Sequence, residues 1–118
     1  MRNKRTLGSK GEERAIDWLR EHGFIILSVN WRDGRCEIDI VATLQDVLHF
    51  VEVKTRTSQR YGHPEESVTK RKLMHMLKAG EAYQYAYPQW KRVQYDVLAV
   101  QLGDDGSQEY VFIEDVYI

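Results

Sequence analysis

Cysteine is nearly absent from this chain. Cys36 is the only one in 118 residues, which excludes an intrachain disulfide and a cysteine-built zinc cluster. A lone thiol suits a reducing compartment. Also missing is any apolar run near the roughly 20 residues needed to span a bilayer. The N-terminal stretch, with Arg2, Lys4 and Arg5, lacks the apolar segment of a secretory signal. The expectation is a soluble, cytoplasmic protein with no membrane contact. No charge of one sign dominates: a formal net charge of −1 gives no global pull toward nucleic acid or acidic lipid. Repeats, low-complexity tracts and linkers are lacking too. With 42% apolar residues, the length suits one compact domain, 1–118.

The charge that is present is unevenly placed. Residues 54–72 carry Lys54, Arg56, Arg60, Lys70, Arg71 and Lys72 against Glu65 and Glu66. Acidic residues collect near the C-terminus, at Asp104, Asp105, Glu109, Glu114 and Asp115. The asymmetry is compatible with a phosphate-binding surface at Arg56, Arg60 and Lys72. An ordinary solvated face would look the same.

The pattern of apolar and turn residues predicts the order helix, three strands, helix, two strands. Ser9 caps a first helix running to about His22, with Gly23 as its stop. Its buried stripe is Ala15, Ile16 and Leu19, and Glu12 shares that face. Phe24 to Val29 is a strand, and 30–35 is a polar turn region. Glu37 to Ala42 is the next strand, with Glu37, Asp39 and Val41 on one face. A short turn at Leu44-Gln45-Asp46 leads antiparallel into Val47 to Thr55. After a polar loop over 57–66, a helix runs from about Thr69 to Tyr87. Its inner stripe is Leu73, Met76, Leu77, Gly80 and Tyr83, and Pro88 ends it. Val93 to Leu102 and Tyr110 to Tyr117 are the last strands, joined by the Gly103-Asp104-Asp105-Gly106 turn. The helix between the third and fourth strands has the length of a parallel crossover. The fold class is therefore α/β, a mixed central sheet flanked by helices in the order αβββαββ.

Glu52-Val53-Lys54 is the most informative segment. Twelve residues separate Asp39 from Glu52. In the strand 47–55, Leu48, Phe50, Glu52 and Lys54 share one face, and Val47, His49, Val51, Val53 and Thr55 share the other. Both faces are largely apolar, so the strand is expected to be covered on both sides. A carboxylate on a covered strand needs a partner or a metal. Phosphodiester hydrolysis needs a positioned water, neutralisation of developing charge and help for the leaving oxygen. Mg2+ (or Mn2+) held by oxygen ligands supplies these. Asp39 and Glu52 are the candidate ligands, with Glu12 for an outer water or second ion. Lys54 would orient water or offset charge on phosphorus. Each residue alone has a plain structural explanation. Their joint placement on otherwise apolar faces of three elements is what favours a site.

The histidines, His22, His49, His63 and His75, show no ligand spacing and are expected to be solvated or packed. Tyr83, Tyr85, Tyr87, Trp90 and Tyr95 suit core and interface packing better than base stacking. Trp31, in the polar turn region, is expected to be partly exposed.

These segments together resemble a known group. Gly8-x-x-Gly11-Glu12, Cys36-Glu37-Ile38-Asp39-Ile40-Val41 and Phe50-Val51-Glu52-Val53-Lys54-Thr55-Arg56 resemble the YraN-like bacterial family. Tyr61-Gly62-His63-Pro64-Glu65-Glu66-Ser67-Val68 and Tyr95-Asp96-Val97 fit it as well. That family in turn resembles the PD-(D/E)xK nuclease superfamily, in particular archaeal-type Holliday junction resolvases. The resemblance implies a restriction-endonuclease-like core. It makes Glu12 the first-helix acid, Asp39 the strand acid, and Glu52 with Lys54 the E-x-K element. Cys36 stands where the family commonly has glycine, and Gln94 where arginine is common before the aromatic-Asp pair. The second change would weaken a salt bridge or phosphate contact.

The expected function is a Mg2+-dependent endonuclease acting on DNA, on branched or single-stranded structures, and a homodimer would suit cutting two strands. The alternatives are a non-catalytic nucleic-acid-binding module and an adaptor docking through Tyr83 to Trp90.

Overall fold

The computed structural model describes residues 7–57 and 69–116. The elements are α1 (Leu7–Glu21), β1 (Ile25–Asp33), β2 (Cys36–Leu44), β3 (Val47–Thr57), α2 (Lys70–Ala86), β4 (Val93–Leu102) and β5 (Gln108–Ile113). This is the αβββαββ order expected from the sequence. The strands form one mixed sheet in the order β1-β2-β3-β4-β5. Neighbours are antiparallel except β3 and β4, which run parallel from Leu48↔Val93 to Thr57↔Leu102. A parallel pair needs a long crossover, and α2 lies on it. No helix among the described residues is long and apolar enough to cross a membrane.

Helix α1 ends where Gly23 takes a φ of 93°. Gly23 N–H donates to Arg20 O at 3.1 Å and Phe24 N–H to Leu19 O at 2.9 Å. This pair of bonds is the Schellman arrangement, which glycine makes accessible. Phe24 and Leu19 then pack in one cluster, which sets the angle at which β1 leaves the helix. The helix begins at Leu7, so Ser9 lies within its first turn and is not its cap.

Strand β1 is longer than its composition suggests. The polar residues 30–33 belong to it, because Trp31 pairs with Ile38 and Asp33 with Cys36. Only Gly34 and Arg35 form the turn, with Gly34 at φ 62°. An edge strand tolerates polar residues on its outer side, which is why the segment looked like a loop. Trp31 is partly exposed, as expected, but it stands in the strand and not in a turn, and its ring packs against Tyr83 with centroids 5.2 Å apart. At the other end of the sheet, β5 stops at Ile113. Asp115, at φ 56°, turns the chain back so that Val116 N–H reaches Tyr95 O at 2.7 Å. Tyr117, placed in this strand by its pattern, lies outside the described residues.

The sheet is covered on both faces, as expected for β3. Val51 packs with Ala15, Leu19, Phe24, Ile40, Ala42, Leu98 and Val100 under α1. Leu48 and Phe50 pack with Ile38, Val41, Met76, Ala79 and Tyr83 under α2. In β2 the simple alternation fails, because Ile38 joins Val41 on the α2 side while Ile40 faces α1. The strand changes side between Ile38 and Ile40, close to where its pairing with β3 ends at Ile40↔Val51.

Helix α2 is capped by Thr69, whose hydroxyl accepts Lys72 N–H at 3.2 Å. It closes with Tyr87 N–H on Tyr83 O at 2.9 Å, before Pro88. Its buried residues are Met76, Ala79, Gly80 and Tyr83. Leu77, assigned to this stripe from spacing, faces outward instead, and Ala79 takes the inner position. Gly80 lies so close to Tyr95 that a Cβ there would meet the phenol ring and hydroxyl.

Candidate active site

The site forms where β2 and β3 stop pairing. Beyond Ile40↔Val51 their ladder ends, and the Asp39 side chain supplies an acceptor in its place. Val53 N–H donates to Asp39 Oδ2 at 2.8 Å. The acid of one strand is thus tied to the backbone between Glu52 and Lys54. Glu12 approaches from α1. Gly11 rests against Thr55 so closely that a Cβ would collide with the threonine side chain. That contact seats the start of α1 over the end of β3. Asn30 Nδ2 makes a long contact of 3.5 Å with Glu12 Oε1.

A cleft of about 230 Å3 is lined by Arg35, Glu37, Asp39, Glu52, Lys72 and His75. Of the residues singled out in the sequence, Asp39, Glu52 and Lys72 line it directly. Glu12 and Lys54 stand beside it and share its electrostatic field. Burial, followed by the Glu52 charge, pushes the Asp39 carboxyl up to about 7; the Glu12 and Glu37 charges add to this and the Val53 N–H opposes it. Glu12 is also raised, mainly by burial, with smaller contributions from Glu37 and Glu52. Crowded carboxylates resist losing all their protons, so a cation in the cleft would lower the strain among them.

The two lysines are unequal. Lys72 Nζ lies 3.3 Å from Glu52 Oε2, and its side chain is 44% exposed against 14% for Glu52. Burial works against the Lys72 charge, but contact with Lys54 and the Glu52 charge outweigh it and hold its pKa above the ordinary value. Lys54 is lowered, first by burial and then by the hydrogen bond and repulsion from Lys72. Two ammonium groups this close do not both keep their protons easily. Lys72, paired with a carboxylate, retains its proton, and Lys54 gives one up more readily.

Arg56 follows Lys54 by two residues on β3 and so shares its face. Arg60 and His63 lie outside the described residues. Three lining residues were not picked as candidates from the sequence: Arg35, Glu37 and His75. Glu37 had a signal, because alternation places it with Asp39; Arg32 Nη2 lies 3.6 Å from its Oε1. His75 follows Lys72 by three on a helix, the spacing of same-face neighbours. Arg35 was hidden in the segment taken for a loop.

Other polar residues serve the frame. His49 Nδ1 and Asp96 Oδ2 are 2.6 Å apart, with side chains 6% and 0% exposed. Asp96 Oδ1 also accepts Gln94 Nε2 and Asp115 N–H, both at 2.9 Å. His49 is thus a packed histidine, as expected. Gln94 further bonds Glu114 Oε1 at 3.2 Å, so it joins β4 to the segment after β5. Cys36 is half-buried beside the α2 cluster.

The sequence pattern described as Uncharacterised protein family UPF0102 matches residues 11–100. This chain belongs to the UPF0102 family. The matched stretch contains Glu12, Asp39, Glu52, Lys54 and Lys72. The UPF0102 protein of Chlorobaculum parvum is 45% identical over 98 residues, covering 82% of this chain and 76% of its own length. That of Chlorobium phaeobacteroides is 44% identical over 99 residues, covering 83% and 79%. That of Bacteroides thetaiotaomicron is 36% identical over 111 residues, covering 94% and 91%. The similarity therefore covers between 76% and 91% of the length of these UPF0102 proteins, and the family match spans the cleft residues from Glu12 to His75.

Proposed function

We propose that the cleft hydrolyses phosphodiester bonds in DNA, with Mg2+ or Mn2+ as cofactor, and acts on branched or single-stranded structures. The observation that carries this reading is the crowding of Asp39, Glu52, Glu12 and Glu37 beside two lysines, with Asp39 pushed up to about 7. Among the described residues, no group of three or more His, Cys, Asp or Glu side chains is placed so that it could hold a metal ion, so a site here would rest on two carboxylates, Asp39 and Glu52. That donor set suits Mg2+, which is usually held by one or two carboxylates plus waters and substrate phosphate. Asp39 and Glu52 would hold the ion, with Glu12 reached through water. The bound ion would supply an activated water and charge neutralisation at the phosphate. The remaining work falls to the chain. Lys54 orients the attacking water, Lys72 positions the Glu52 carboxylate, and Arg35 and Arg56 attract the phosphate backbone. The element order and the Asp39, Glu52-x-Lys54 spacing also agree with the PD-(D/E)xK resemblance.

A second reading is a nucleic-acid-binding module that keeps this cleft without chemistry. The Lys72–Glu52 pair favours it, because the lysine already occupies one oxygen of a proposed ligand. One panel separates the two readings. Junction, flap, single-stranded and duplex DNA are incubated with Mg2+, Mn2+ or EDTA. The nuclease reading expects metal-dependent cleavage that Glu52→Ala abolishes. Binding that persists in Glu52→Ala, with no cleavage of any substrate by the wild type, would establish the module instead.

A further inference from the structure

A second concavity adjoins the cleft. It is an open groove of about 630 Å3 on the outer face of α2, lined by Lys70, Arg71, Met74, His75, Leu77, Lys78 and Glu81. Positions 70, 74, 77, 78 and 81 recur at helical spacing, so they form one stripe opposite the buried one. Its floor is apolar: Met74 is 49% and Leu77 36% exposed. Its rim is cationic, with Lys70, Arg71 and Lys78 against the single carboxylate of Glu81. His75 lines both this groove and the acidic cleft. The two concavities therefore meet at one side chain.

We infer that the α2 groove binds a single-stranded segment of nucleic acid and leads it past His75 to the acidic cleft. This rests on the nuclease reading for the destination of the strand, but the groove's own chemistry selects the strand. Three cations at the rim match a polyanion. An apolar floor between cations matches a strand whose bases are unstacked and turned toward the protein, which a closed duplex does not offer. In this arrangement Lys70, Arg71 and Lys78 take phosphates, and Met74 and Leu77 cover base faces. This also accounts for two large apolar side chains standing outward on a helix that already has a full inner stripe.

Fluorescence anisotropy with labelled dT20 and rU20, in EDTA and over a range of salt, tests the groove without any cleavage. Lys70→Glu/Lys78→Glu should weaken binding at least about tenfold and flatten the slope of log K against log salt by about 0.7 per lost phosphate contact. Met74→Ser/Leu77→Ser should weaken binding with the salt slope unchanged. All four positions are outside the core, and circular dichroism melts would verify folding. Wild-type affinity and slope in both double variants would overturn the groove, whatever the cleavage panel gives. Groove variants that lose binding, in a protein that never cleaves, would keep the groove and remove the nuclease. A groove change that alters gel-filtration volume without altering oligonucleotide binding would assign the face to a second copy and also overturn the inference. Comparing dT20 with rU20 reports which sugar the strand carries.

Discussion

Val53 donates its amide to Asp39 across the point where β2 and β3 part, at 2.8 Å. Val53 is the residue between Glu52 and Lys54, so the two strands that carry the candidate chemistry are joined at its centre. A backbone donor has little freedom to move. The bond therefore fixes the Asp39 carboxylate relative to Glu52 more firmly than a side-chain partner would.

Asp39 should make stability depend on pH in the absence of metal. In the fold it holds its proton up to about 7, against an ordinary value of 3.8. Between those values the native chain binds more protons than the unfolded one, so this group's contribution is full below about 3.8 and is lost as pH rises through 7. The melting temperature in EDTA should fall from pH 5 to pH 8. Asp39→Asn should flatten that fall, because its amide oxygen can still accept Val53 N–H. Millimolar Mg2+ at pH 8 should restore part of the wild-type loss and none in the variant. Parallel profiles for the two proteins would remove Asp39 as the titrating group.

The unequal lysines should separate in kinetics. Lys54→Ala is expected to lower Mg2+-dependent DNA cleavage by about 100-fold or more, the range for a group acting at the reacting atoms. Lys72→Ala should lower it by roughly tenfold and change stability by less than about 1 kcal/mol, since its ion pair is half-exposed. Urea unfolding alongside the cleavage rates measures both. A larger kinetic loss at Lys72 than at Lys54 would reverse the assigned roles.

The seat of α1 on β3 depends on Gly11. Gly11→Ala places a methyl into the Thr55 side chain, and overpacking of this kind costs about 1–3 kcal/mol. Thr55→Ala should relieve part of that penalty, so the double variant should be more stable than the sum of the single effects. The same cycle followed by cleavage rate tells whether the displacement carries Glu12 with it. Additive unfolding energies would mean that the helix start is not held by this contact.

Asp96 should matter for stability and not for metal. Asp96→Ala takes the acceptor from buried His49 and from the Asp115 amide and leaves Gln94 with Glu114 alone, and breaking a buried pair costs about 3–5 kcal/mol. Urea midpoints should drop sharply, while magnesium titration of the still-folded variant at low temperature should match the wild type. A variant that keeps its stability but loses its metal response would move Asp96 into the site.

Elements with a full apolar face were legible from sequence, such as the α1 stripe at Ala15 and Leu19 and the two-sided β3. The Gly23 stop was legible because its chemistry is local. Strand β1 was cut short because polarity at 30–33 mimics a loop when its partner strand is unseen. Leu77 was placed inward because spacing alone leaves a helix stripe uncertain by one residue at its border, and Ala79 fills the inner position.

By itself the amino-acid order determined which residues carry acid and amine, the αβββαββ succession, and the face of β3 on which Glu52 and Lys54 stand. These follow from short-range periodicity and from turn chemistry within a few residues. Only the tertiary structure decided that β2 and β3 part beyond the Ile40↔Val51 pair, that Asp39 fills the gap, and that Glu37, Arg35 and His75 complete the cleft. Those outcomes depend on contacts between residues distant along the chain, where burial and mutual repulsion set proton affinity, and no local pattern encodes such distances.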